Sequence, residues 1–347
     1  MKYPKRLMEG GRIGFAAPSF GCNIEPYKTG FDSALAEFQR LGFSTVLGPN
    51  VYKGEGVGIS NTPIECAKEL SEMYISKDND CIISCGGGEL MCEILNHMDY
   101  ENIAKADAKW FVGYSDNTNF TFILNTVFDT ASIYANCAAS FGILPWHQSL
   151  SDTFAILQND NKVITVKGYE SFEKESLKNA DNPLSPLNLT EKKVIRKFIG
   201  NTEYPDSEIR MEGRLIGGCM DCLVNLLGTS FDKMAEFNER YREEGIIFFL
   251  ESCDLNVYAI RRAIWQMDNA GWFKYAKGFI IGRPLVHGQE MFGLNQYEAV
   301  KGILGRYNLP IIMDADIGHI APAMPVVSGS YLKCLADDNI EMEYHYI

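Results

Sequence analysis

Between residues 12 and 128 the chain alternates short apolar runs with amphipathic stretches, and this alternation restricts the possible folds more than any other feature of the sequence. Arg12-Ile13-Gly14-Phe15-Ala16-Ala17-Pro18-Ser19 reads as a buried strand that ends in a loop. Residues 27–41 have helical periodicity and stop at Gly42, a natural C-cap. A second strand is expected at 44–47, a helix at 63–76, a third strand at Cys81-Ile82-Ile83-Ser84, a helix-like stretch at 90–97, and a fourth strand at 110–114 leading into a helix at 118–128. Strands alternating with helices at this spacing predict a parallel sheet covered by helices on both faces, an α/β fold. Ligands on such sheets bind beyond the carboxyl ends of the strands, which is where Gly86-Gly87-Gly88 and Ser115 fall.

The pattern changes after residue 169. Residues 170–206 are polar, contain Pro183 and Pro186 and show no sustained apolar period, so they are expected to connect two domains. A second unit opens near Glu212-Gly213-Arg214-Leu215-Ile216-Gly217-Gly218, with strands at 245–250 and 278–281 and a helix at 257–269. The predicted division is therefore 1–169, 170–206 and 207–347.

Charge excludes some functions. A net charge of −13 argues against nucleic acid or an anionic membrane as partner, since both require a basic stripe. No run reaches the roughly 20 apolar residues needed to span a bilayer, and glycines at 10 and 11 fall where a signal sequence would turn apolar. Several of the ten cysteines lie inside apolar runs, as expected of reduced, buried thiols in the cytoplasm.

Chemistry is suggested by three separated segments. Ser115 in Gly113-Tyr114-Ser115-Asp116-Asn117 sits where a strand turns into a helix, a geometry that pushes the hydroxyl clear of the backbone. The N–H of Asp116 is then placed to face a developing oxyanion. A serine nucleophile needs a base, and the base needs an orienting group. Among five histidines, His319 in Asp316-Ile317-Gly318-His319 has the best context, a tight turn stiffened by Pro322 and Pro325. Glu251 closes the run Ile246-Ile247-Phe248-Phe249-Leu250 and needs a partner, either His319 or one of Arg261 and Arg262. The glycines at 86 and 87 allow a second backbone donor to approach a reacting carbonyl. Cys219-Met220-Asp221-Cys222 has metal-ligand spacing but no second pair to complete a zinc site, so neither metal nor cofactor is expected.

In order and spacing these segments resemble the LD-carboxypeptidase family, peptidase family S66, which includes muramoyl-tetrapeptide carboxypeptidases and microcin C immunity-type peptidases. The resemblance runs from Ile13-Gly14-Phe15-Ala16-Ala17-Pro18-Ser19 through Cys85-Gly86-Gly87-Gly88, the Ser115 turn, Gly213 to Gly218, Phe249-Leu250-Glu251 and Gly282-Arg283 to the His319 turn. It implies Ser115 as nucleophile, His319 as base and acid, Glu251 as its orienter, and an oxyanion hole from Gly86, Gly87 and Asp116. It also implies a flavodoxin-like N-terminal domain, a β-rich, swivelling or barrel-like C-terminal domain, and a homodimer. Two positions depart from the family pattern: Cys85 stands where an arginine is common, and Asn256 falls about where a second acid is common. The expected activity is removal of a C-terminal group from a short peptide, D-alanine from a murein tetrapeptide. A peptidyl-nucleotide conjugate is the alternative substrate, and a non-catalytic binder of peptides or amino acids is the alternative of a different class.

Overall fold

The computed structural model describes all 347 residues. Five parallel strands form the body of the first sheet, in the spatial order Ser44–Leu47, Arg12–Ala16, Cys81–Ser84, Trp110–Val112, Ser132–Tyr134. Its sixth strand comes from far along the chain: Val326–Ser328 pairs antiparallel with Ser132–Tyr134. The predicted helices form for identifiable local reasons. In Tyr27–Arg40 the residues Phe31, Ala34 and Phe38 recur on one face and are buried. In Pro63–Ile75 the Thr62 side chain accepts from the Glu65 N–H, and Pro63 occupies the first turn, where it costs no hydrogen bond.

The second sheet has nine strands and is mixed. Four parallel strands lie at its centre: Ile209–Cys219, Ile246–Glu251, Ala276–Gly282 and Pro310–Ala315. On one side it continues through Tyr331–Ala336 and Ile340–His345 to Val163–Lys167, and on the other through Arg196–Ile199 to Thr202–Glu203, all antiparallel. Helix Val257–Asn269 is capped by Asn256, whose side chain accepts from the Ala259 N–H at 2.9 Å. Asn256 therefore caps a helix at the position where the family commonly places an acid.

The two sheets exchange strands. Residues 163–167 complete the second sheet, and residues 326–328 return to complete the first. The segment read as a connection, 170–206, is not structureless. Ser171–Glu173 and Leu189–Lys192 pair antiparallel, and Arg196–Ile199 and Thr202–Glu203 belong to the second sheet. Its period was hidden because Leu189–Lys192 has little buried side-chain surface, so no apolar alternation marks it. No helix is long and apolar enough to cross a membrane.

Candidate active site

Strand Trp110–Val112 is buried along its length and delivers the chain to Ser115 at the carboxyl edge of the first sheet. Ser115 adopts φ 62°, left-handed backbone that costs a residue with a side chain about 1–3 kcal/mol. A one-turn 3-10 segment, Ser115–Asn117, follows and leads into helix Thr118–Thr126. Strained backbone at a strand-to-helix turn holds the hydroxyl away from the main chain, as a nucleophile requires.

Glu251 is the last residue of its strand and is fully buried. Both of its oxygens are engaged. Oε2 lies 2.8 Å from His319 Nδ1, and Oε1 accepts from the Tyr134 hydroxyl at 2.5 Å. Across the imidazole ring, His319 Nε2 lies 2.8 Å from Ser115 Oγ. A carboxylate can only accept, so in neutral His319 the proton sits on Nδ1 and Nε2 is free to take the serine proton. Arg261 donates instead to the Glu298 carbonyl. Of the two partners considered for Glu251, the structure gives it the histidine.

Two glycines make this approach possible. Gly318 has φ +108°, and a Cβ there would collide with Glu251 Oε2. A Cβ on Gly87 would lie 3.0 Å from Ser115 Cβ and 3.1 Å from Oγ, so the glycine turn packs directly on the serine. The Gly86 carbonyl accepts from Asn117 Nδ2 at 2.9 Å, which ties that turn to the Ser115 turn. The Asp116 carboxylate points away from the reacting centre and accepts from Ser19 Oγ at 2.5 Å, Met91 N at 2.9 Å and Asn119 Nδ2 at 3.0 Å. Burial pushes this carboxyl above its ordinary range in spite of those donors. The Asp116 side chain is thus committed to partners within the protein.

Burial opposes protonation of His319, yet the Glu251 carboxylate and the Cys253 thiol outweigh it and hold the imidazole well above its usual range. Cys219, Glu251 and His319 place donor atoms within 4.8 Å of one another. The carboxylate and Nδ1 are already bonded to each other, and the Cys219 thiol donates to Asp221 at 3.3 Å. Cys85 is buried in the core, its carbonyl accepting from the Cys22 thiol.

Sequence reasoning did not single out Tyr134. Its hydroxyl donates to Glu251 and accepts from the Ser115 N–H at 3.0 Å, so one phenol braces two members of the constellation. It lies in a three-residue strand with no motif around it, and only the sheet order brings it to the site. Arg283, noted only as part of Gly282-Arg283, is 1% exposed; its Nη2 reaches Asp316 Oδ1 at 3.1 Å, and its guanidinium stacks 3.9 Å from the Phe172 ring centroid. Asp316 opens the His319 turn and also accepts from the Tyr169 N–H at 2.8 Å. The hairpin of 171–192 is thus fastened to the histidine.

Two cavities flank the reacting atoms. One of about 450 Å³ is lined by His319, Tyr114, Trp146 and, from the 170–206 segment, Glu173, Lys178 and Leu187. The other, about 150 Å³, is lined by Ser115 and residues from three further segments. A bond held between Ser115 and His319 therefore has room on both sides, the arrangement needed for two-step acyl transfer.

Similarity to known proteins agrees with this geometry. Residues 13–135 match the family model described as LD-carboxypeptidase N-terminal domain, and residues 212–333 match LD-carboxypeptidase C-terminal domain. The microcin C7 self-immunity protein MccF of Escherichia coli is 25% identical over 349 residues, covering 98% of this chain and 95% of that protein. A probable murein peptide carboxypeptidase of Bacillus subtilis is 25% identical over 329 residues, covering 94% and 89%. Among solved structures, MccF in complex with glutamyl sulfamoyl guanosine superposes with a TM-score of 0.81 at 22% identity, covering 99% of both chains. An MccF-like protein from Bacillus anthracis gives 0.83 at 21% identity, covering 99% of this chain and all of the other. The two-domain fold is the one these proteins have.

Proposed function

The chain belongs to the LD-carboxypeptidase family, and from that premise we propose that it is a serine peptidase in which Ser115, His319 and Glu251 act as nucleophile, base and orienter. The observation that carries this reading is the unbroken pair of 2.8 Å contacts from Glu251 through His319 to Ser115. In the first step Ser115 Oγ bonds to the scissile carbonyl carbon while its proton passes to His319 Nε2. The oxyanion is met by the N–H of Asp116 and by the Gly86-Gly87 turn. The C–N bond then breaks, and His319 returns the proton to the leaving amine. Water, deprotonated by the same Nε2, hydrolyses the acyl-enzyme and regenerates Ser115. Glu251 stabilises the imidazolium that forms in each half-reaction.

The substrate is a short peptide that loses its C-terminal group, D-alanine from a murein tetrapeptide. The relative from Bacillus subtilis carries that kind of description. One observation favours the second reading, a peptidyl-nucleotide conjugate: the 450 Å³ cavity beside His319 is far larger than an alanine needs. Lys178 in that cavity suits either leaving group, as partner for a terminal carboxylate or for a phosphate. A cytoplasmic address and a homodimer belong to the same proposal. Ten cysteines without a disulfide support the first, and Phe292, 96% exposed, is an apolar side chain that a second copy would cover.

The test incubates wild type and Ser115→Ala with L-Ala-γ-D-Glu-meso-diaminopimelate-D-Ala and with an aspartyl sulfamoyl adenosine, followed by mass spectrometry. Serine-dependent release of D-alanine is expected; serine-dependent release of the nucleoside part alone would replace the first substrate with the second. Tight binding of either compound without turnover, unchanged in Ser115→Ala, would leave only the binding protein.

A further inference from the structure

Cys219-Met220-Asp221-Cys222 offers two thiols at metal-ligand spacing, and along the chain no second pair accompanies them. The fold supplies two more. Cys92, in the Met91–His97 segment that follows the glycine turn, and Cys253, two residues past Glu251, line the same 150 Å³ cavity as Cys219 and Cys222. Four of the ten thiols thus face one space, drawn from three separate stretches of chain. Cys219 is pushed well above the ordinary thiol range by burial and then by contact with Cys222. Cys92 is raised by burial and then by Asp116, Glu93 and Cys222, so the three sulfurs are neighbours. The Cys222 thiol also lies 3.8 Å from Asp116 Oδ1.

The rest of the lining suits a cation. It includes Glu89, Asp116, Asp221 and Asp254, and no lysine, arginine or histidine. An independent observation points to a missing partner. Asn119, 1% exposed and part of the same lining, spends its amide nitrogen on Asp116 and leaves Oδ1 without a hydrogen bond. A buried acceptor left unpaired costs free energy that an incoming donor recovers. Oxygen donors alone would suit a hard cation, whereas thiols select a softer one. Zinc takes thiolate sulfur and oxygen ligands together, in fourfold coordination. The cavity has the volume of about five waters at roughly 30 Å³ each, room for one ion and a water bound to it.

We infer that this cavity is an inhibitory zinc site, in which the thiolates of Cys92, Cys219 and Cys222 hold the ion and its fourth ligand is a water that donates to Asn119 Oδ1. On binding, three S–H bonds give way to three Zn–S bonds and the protons leave to solvent, with no oxidation or reduction. Inhibition follows from position. Ser115 lines the same cavity, the Cys222 thiol donates to the Ser115 carbonyl at 3.6 Å, and Cys253 acts on His319. An ion there blocks one face of Ser115 and sets positive charge beside an imidazole that must become an imidazolium. The binding stands apart from the proposed catalytic roles; the inhibition rests on them.

The test titrates reduced, chelator-stripped protein with cobalt(II), which takes zinc's ligands and reports sulfur through thiolate-to-metal charge-transfer absorption. Zinc is then added to displace it. One equivalent with such absorption is expected in wild type and in Ser115→Ala alike. Cys92→Ser and Cys219→Ser/Cys222→Ser, each checked for native circular dichroism, should bind zinc about 100-fold more weakly or worse, since even residues that only support a ligand are worth about 10–100-fold. A readout on wild type needs no variant: zinc should protect the partly buried Cys92 from alkylation, mapped by peptide mass spectrometry. No binding, cobalt bound without sulfur absorption, undiminished zinc binding in the variants, or unprotected Cys92 would each overturn the site. Inhibition is read with a diphenyl α-aminoalkylphosphonate, whose phosphorus bonds to Ser115 Oγ as phenoxide departs and the serine proton passes to His319. Labelling should fall in proportion to the zinc-free fraction and return with chelator. Full labelling at saturating zinc would overturn the inhibition. No labelling even in chelator would overturn the nucleophile assignment and the inhibition with it, while the cobalt titration still decides the site.

Discussion

At the scale of single residues, Tyr134 separates what geometry supplies from what motifs supply. Its hydroxyl neutralises part of the Glu251 charge and fixes the Ser115 backbone. Tyr134→Phe removes a hydrogen bond to a charged group, worth about 1.5–3 kcal/mol, and frees Glu251 to act more strongly on His319. We expect kcat/KM to fall roughly tenfold or more, with the acid limb of its pH profile moving to higher pH; a uniform fall with an unmoved limb would mean that Tyr134 is only structural. The same reasoning sets the pH dependence of the wild type. His319 must be neutral to act as base, and its pKa is raised, so activity should appear as pH rises through a value above the usual histidine range. The sign for stability is opposite. The imidazolium–carboxylate pair stabilises the fold fully below the unfolded histidine pKa, about 6.5, and that contribution disappears as pH rises through the higher folded value. Glu251→Gln should move the acid limb downward and flatten the stability change, which a pH series of activity and urea midpoints reads directly. Ser115, Glu251 and His319, which the fold brings together, stood out in the sequence because each sits at the end of an apolar run or in a glycine turn. Tyr134 did not, because its role depends on which strand lies beside which.

At the scale of elements, the His319 turn is held by charge rather than by apolar packing alone. Asp316 is fully buried between Arg283 and Lys193, at 3.1 and 3.7 Å. Arg283→Ala leaves that carboxylate with Lys193 as its one cationic partner beside the Tyr169 N–H, and breaking a buried pair in this way costs about 3–5 kcal/mol. We expect a matching drop in the urea-derived unfolding free energy, together with slower phosphonate labelling of Ser115, since the turn that carries the base loses its anchor. The strands of the first sheet were readable from sequence because each is a short apolar run bounded by turn residues; Ser44–Leu47 has the boundaries expected of it. The hairpin of 171–192 was not. Its residues satisfy backbone hydrogen bonds at the surface, and only Phe172 and Glu173 are buried in its first strand. A polar composition therefore concealed two strands that reach the site through Phe172 and Arg283.

At the scale of the whole molecule, each sheet borrows a strand from the other side of the chain. Neither 1–169 nor 207–347 contains all the strands of its own sheet, because Val163–Lys167 and Val326–Ser328 are exchanged. Sequence reading placed the domains in succession, since local pattern cannot show where a strand finds its partners. The exchange predicts one cooperative unfolding transition. Tryptophan fluorescence, with Trp110 in the first sheet and the buried Trp272 stacked on Phe122, should coincide with far-UV circular dichroism across a urea titration. Two separated transitions would show that the borrowed strands contribute little to cooperativity.

The path from His319 to Val326 also has a meaning for how the molecule comes into being. Seven residues after the base, the chain leaves one sheet to close the edge of the other. During synthesis Ser115 and Glu251 emerge before His319, and the crossover that follows the histidine pairs with Ser132–Tyr134 later still. A chain cut before residue 319 would therefore hold the proposed nucleophile without the proposed base. In the proposed mechanism hydrolytic competence therefore waits on strand Val326–Ser328 reaching Ser132–Tyr134, and not only on the strands that the first part of the chain supplies.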